Sequence, residues 1–130
     1  MKEKIQKRKE DRQGRSPNYH IMFALKAARE AEKVLHFFED ENPEDKRPRK
    51  AIEAIKEWAH GKRELNMAEV RELSLGSHEA AREAKSDAAR FAAQAAGHAV
   101  ATWHVTAHSL RTFSYSQKAM SASKNAKKSG

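Results

Sequence analysis

Seven histidines are spread along this 130-residue chain, and three of them fall at spacings that could build a site. His104 and His108 are four residues apart, which on a continuous helix puts both imidazoles on one face, the geometry of a two-histidine metal pair. His98 lies further back and on the same unbroken helix would point away from His104; only a bend near Thr102–Thr106 would gather all three. A metal needs a further ligand, yet no Asp or Glu follows Asp87. The residues between the pair are Val105, Thr106 and Ala107, so the His-Glu-x-x-His pattern of zinc proteases is absent. Three uses stay open for these histidines: part-buried rings bonded to helix carbonyls or hydroxyls, a partner contact, or metal ligation. The first is the ordinary fate of histidines inside a helical pattern.

Other chemistry finds less support. Ser74, Ser77, Ser109, Ser114 and Ser116 sit within helical pattern, where hydroxyls bond back to the preceding turn. None stands in a Gly-x-Ser-x-Gly elbow, and no glycine-rich loop could cradle a phosphate. Nothing selects an acid pair for glycoside chemistry, and no cofactor motif is present. Trp58 and Trp103 fall on expected core faces, with a recognition surface as their other use. Glu39, Asp40 and Glu41 open an acidic stretch reaching Asp45. It reads as a solvated connector or as a negative patch for a basic partner. The chain is therefore expected to be no enzyme and to act by binding another macromolecule.

The elements that would position these residues are all helical. Ser16-Pro17 is a helix start, serine capping and proline in the first turn. Ile21, Leu25 and Ala28, with Ala24, Ala27, Ala31, Val34, Leu35 and Phe38, then recur at three- and four-residue steps. Glu39–Glu41 lie at the C-terminal end, where the macrodipole disfavours negative charge, and Asn42-Pro43 stops the helix. Pro48 suits the first turn of a second helix with an Ala51, Ile52, Ile55, Trp58, Ala59 stripe, ended by His60-Gly61. Asn66, with Glu69 three residues on, is a capping-box variant that starts a third helix carrying Met67, Val70 and Leu73. Gly76 inside it is unfavourable by up to about 1 kcal/mol against alanine. Ser86-Asp87 caps a fourth, in which eight of the fourteen residues of Ala88–Ala101 are alanine, suited to close approach by several neighbours. A last helix carries Trp103, Ala107, Leu110, Phe113 and Met120 on one track, with Val105, His108, Thr112 and Tyr115 beside it. No stretch alternates with period two, and no hairpin turn signal appears. The fold class is all-α: a compact antiparallel bundle of four to five helices around a central alanine-rich one.

The net charge of +8 resides at the ends. Met1–Arg15 holds seven Lys/Arg against three acids, and Lys118–Gly130 four lysines and no acid, so the body between them balances. This divides the chain into a basic arm (1–15), a helical domain (16–120) and a basic polar tail (121–130). Ends without an aromatic residue could hold nucleic acid only weakly and without sequence preference. No apolar run approaches a membrane span, no signal-peptide h-region follows the charged start, and no cysteine is present, all consistent with a cytoplasmic protein. A small-residue helix also serves a homo-oligomer interface, which stays open.

Two stretches carry a family resemblance. RPRKAIEAIKEWAHGK (Arg47–Lys62) and AAGHAVATWHVTAHSL (Ala95–Leu110), followed by Tyr115 and Lys118-Ala119, resemble the signatures of a putative immunity protein family. The matching positions include Pro48, Ala51, Ile52, Trp58, Gly61, Gly97, His98, His104 and His108. Thr106 departs where proline is common, and Trp103 where a small residue is usual. The resemblance spans Asn18 to about Met120 and leaves both basic ends outside. It implies a small all-helical protein that neutralises a cognate toxin of a polymorphic toxin system by stoichiometric binding. A nuclease toxin with a basic groove would suit the Glu39–Asp45 segment.

Overall fold

Asn66 caps its helix through a side-chain oxygen that accepts from the Glu69 amide at 2.9 Å, and Ser86 accepts from the Ala89 amide at 3.1 Å. Each satisfies one of the amides that a helix start leaves without a partner. The computed structural model describes residues 17–129, so the Ser16 cap and the basic arm lie outside the described residues. Within them the chain forms five helices: α1 (Pro17–Glu41), α2 (Arg47–Ala59), α3 (Met67–Glu83), α4 (Asp87–Ala101) and α5 (His108–Ser129). Pro48 sits in the first turn of α2, and Gly61 takes the left-handed φ of 74° that closes it.

Cross-helix bonds set the directions. Glu39 meets Arg49 and Glu32 meets Lys56, so α1 and α2 run antiparallel. Arg47 reaches Glu83, Ser74 reaches Gly97, and His98 reaches His108, which carries the alternation through α3, α4 and α5. The fifth helix then lies parallel to the first, with Ser116 opposite Glu30.

Helix α4 touches all four others. Ala89, Ala92, Ala93, Ala95, Ala96, Gly97, Ala99 and Val100 are buried along it, so small residues on every side let neighbours come close. Its approach to α3 is made by hydroxyls. Ser77 Oγ donates to the Ala93 carbonyl at 2.7 Å and Ser74 Oγ to the Gly97 carbonyl at 3.1 Å, across helices rather than back along their own. Gly97 is required here, because a Cβ on it would stand 2.7 Å from His78 Nε2. Gly76 has no such constraint: its Cβ would meet only the Arg47 side chain, at ordinary contact distance.

Glu41 resolves the charge at the end of α1. Its carboxylate accepts from the Lys85 and Ser86 amides, at 2.8 and 3.1 Å, and so faces the positive N-terminal end of α4. The last helix differs from the sequence reading in three ways. It starts at His108, after a turn over 102–107, so Trp103, Val105 and Ala107 precede it. It continues through 121–129, where a polar tail is expected. And it buries Thr112, Ser116 and Ala119, leaving Leu110 and Phe113 outside. Small residues at four- and three-residue steps fit against α4 and α1, and the larger ones do not. Among the described residues, no helix is long and apolar enough to cross a membrane.

Candidate functional site

Histidines from four helices lie around the turn between α4 and α5. Thr102 Oγ1 donates to the Ala99 carbonyl at 2.6 Å as α4 ends, and the Thr102 carbonyl accepts from His20 Nε2 of α1, also at 2.6 Å. The buried Trp58 packs its ring edge-on against His20, 5.2 Å between centroids, which makes it part of this clamp rather than a recognition surface. The chain reversal carries His108 back to His98, with their Nδ1 atoms 3.0 Å apart. His78 of α3 meets His98 edge-on at 4.9 Å, and Tyr115 stacks on its other side at 5.2 Å.

The chain does turn over Thr102–Thr106, and the pairing this creates is His98 with His108. His104 lies in the turn, so the one-face His104–His108 pair does not form. Burial lowers His78 below the ordinary histidine value, helped by Arg82. His98 is pushed down to about 4 by burial first, then by His78, His108 and Arg111. His108 is lowered by burial, then by Arg111, His104 and His78. At neutral pH the rings are uncharged, and one Nδ1–H donates to the other ring's Nδ1 lone pair. Among the described residues, no group of three His, Cys, Asp or Glu is disposed to hold a metal. Neutral rings stacked face and edge lock α3, α4 and α5 together here. Trp103 is half-buried against the core beside them.

The acidic segment is largely engaged within the protein. Both oxygens of Glu39 accept from the Arg49 guanidinium at 2.6 Å, and Arg49 holds that carboxyl below its usual range. Glu41 binds the start of α4, and Asp45 accepts from the Arg47 amide and guanidinium. Asp40 is exposed and makes no ion pair with a described residue. The three carboxylates proposed from sequence therefore do not form one open patch.

The surface that stands open lies along α1 and α5. Leu110 is 73% exposed, and Tyr19, Met22 and Phe113 are each about half exposed. Tyr19 and Phe23 approach to 6.0 Å between rings, and Phe23, Leu110 and Phe113 line a groove of about 280 Å³ between the helices. On its other side Phe113 borders a larger groove of about 1040 Å³, between the start of α4 and the body of α5. Phe113 is thus a ridge with a hollow on each flank. Periodicity places Leu110 and Phe113 on one track of the last helix without saying which way it faces; the usable signal is the Thr112–Ser116–Ala119 track, whose small residues mark the close-packed face.

The sequence profile of the Imm-5 like putative immunity protein family matches residues 16–129, and the chain belongs to that family. The match includes the final helix beyond Met120. No curated protein and no solved structure matches the chain.

Proposed function

We propose that this protein is an immunity-type inhibitor that neutralises a cognate toxin by stoichiometric binding, without catalysis, through the outer face of α5 and the adjoining edge of α1. Family membership supports a protein partner in general. The observation that carries the choice of face is the group Tyr19, Met22, Leu110 and Phe113, large apolar side chains left in water on two neighbouring helices. Contiguous exposed apolar groups mark interaction sites, and aromatic anchors contribute most of the affinity at such sites. The histidine cluster supports this function from behind: it fixes α5 against α3 and α4, so the face is rigid before the partner arrives.

The test is protection of cells. A toxic domain encoded beside this gene is expressed with and without the protein, and growth is followed. Wild type is expected to restore growth, and Leu110→Asp to lose that protection while remaining folded. Growth arrest unaffected by the wild-type protein, across the toxic domains of its locus, refutes the reading.

A further inference from the structure

The outer face of α5 carries charge as well as apolar groups, and the charge has one sign. From Ala88 to Gly130 the chain has six Lys/Arg and no Asp or Glu. The larger groove is bordered by Lys85 and Lys118, with Phe91 and Phe113 as its apolar walls and serine and asparagine side chains between. Asp87, the acid at its rim, is held by Arg90 at 2.7 Å. The Lys118 ammonium rests over the Tyr115 and Phe91 rings, at 5.0 and 5.8 Å, with no carboxylate to meet it. Neither Lys85 nor Lys118 forms an ion pair among the described residues. Several cations of α2, by contrast, have partners: Arg47 with Asp45, Glu79 and Glu83, Arg49 with Glu39 and Glu53, Lys56 with Glu32.

We propose that the occupant of this groove is an acidic segment of a partner protein, its carboxylates meeting Lys85 and Lys118 and an apolar side chain between them packing on Phe113. The proposal rests on the immunity-type reading for the partner's being a protein, and it gives that partner a charge sign opposite to the basic nuclease groove that the Glu39–Asp45 segment would suit. Lysines on a rim are satisfied by any anion, so the discriminating feature is the floor. An acidic amphipathic segment satisfies the rim and covers Phe113 and Leu110 together. A nucleic-acid backbone satisfies the rim alone. Of the rings nearby, Tyr115 and Phe91 are already covered by Lys118, and Tyr115 lies on His98 as well, which leaves Phe113 as a single exposed ring and no platform for successive bases.

The experiment is selection of a random peptide display library on the immobilised full chain, followed by fluorescence anisotropy with the selected peptide and with a labelled single-stranded DNA. Expected are peptides with Asp or Glu flanking a leucine or aromatic residue, binding that weakens with salt, and a loss of about tenfold or more in Phe113→Asp and in Lys85→Glu/Lys118→Glu. Circular dichroism and thermal melting of both variants confirm that they fold. A basic or charge-free consensus, no selected peptide, peptides that bind the variants as well as wild type, or DNA bound in preference to peptide would each overturn it. Cell protection that persists in Lys85→Glu/Lys118→Glu sinks this proposal and leaves the immunity reading intact. Failure of wild type to protect, with acidic peptides still seated in the groove, sinks the immunity reading instead.

Discussion

Gly97 lies directly beneath the His78 imidazole, so close that a Cβ on it would sit 2.7, 2.8 and 3.0 Å from three ring atoms. The glycine is therefore what admits a histidine of α3 to the side of α4. His78 cannot step aside freely, since its ring also abuts His98. Gly97→Ala is expected to destabilise the fold by about 1–3 kcal/mol, the usual range for overpacking a close contact. Because the clash is with one side chain, His78→Ala in the same protein should recover part of the loss. Urea denaturation of the two single variants and the double gives the coupling; strict additivity would show the contact to be unimportant.

The histidine cluster predicts how stability depends on pH. His98 titrates near 6.5 when unfolded and at about 4 in the fold, with His78 and His108 lowered in the same direction. Between those values the unfolded chain binds more protons than the folded one, so stability is complete above pH 6.5 and falls as the pH drops toward 4. His98→Asn should flatten that part of the profile. Unfolding free energies measured from pH 7.5 to 4.5 are the check, and parallel profiles for wild type and variant would refute the assignment.

Glu41 joins the end of α1 to the start of α4 through two backbone amides. Glu41→Ala leaves both without their carboxylate and is expected to cost about 1–2 kcal/mol, in line with loss of a helix cap. Glu41→Gln, which retains one acceptor oxygen, should cost less. Thermal melts of the two variants separate these outcomes, and equal melting temperatures for wild type and Glu41→Ala would contradict the role.

Leu110 and Phe113 give the complementary result. Both side chains are at least half exposed, so Leu110→Ala and Phe113→Ala should leave stability within about 0.5 kcal/mol of wild type. Partner affinity should fall about tenfold or more for Phe113→Ala. A large loss of stability with unchanged binding would place these residues in the core and not on the interface.

How far the sequence could be read depended on whether the deciding interaction was local. The caps at Asn66 and Ser86 and the left-handed Gly61 involve residues within a turn of one another, and each appears in the structure as the residue types imply. The alanine run identified α4 as central because its composition alone determines how near neighbours can come. The histidine constellation was only half legible. A bend over Thr102–Thr106 is a local property, but which ring it brings to His98 depends on where α5 starts, and His78 arrives from a helix distant in sequence. The facing of Leu110 and Phe113 was hidden for a related reason. Hydrophobicity identifies core faces only while core space is large, and the seams beside α4 admit Thr112, Ser116 and Ala119 in preference to bulkier groups. The acidic segment was legible as a charge cluster but not in its pairing, because carboxylates near in sequence disperse onto Arg49, the start of α4 and Arg47.

The alanine helix has a further consequence for divergence. Nearly any substitution at its buried alanines is an enlargement, and whichever neighbouring helix packs at that position would have to yield. Divergence is thereby left with little freedom at the centre of the molecule. Change is easiest at the periphery, where the exposed Tyr19, Met22, Leu110 and Phe113 can be exchanged without moving a helix axis.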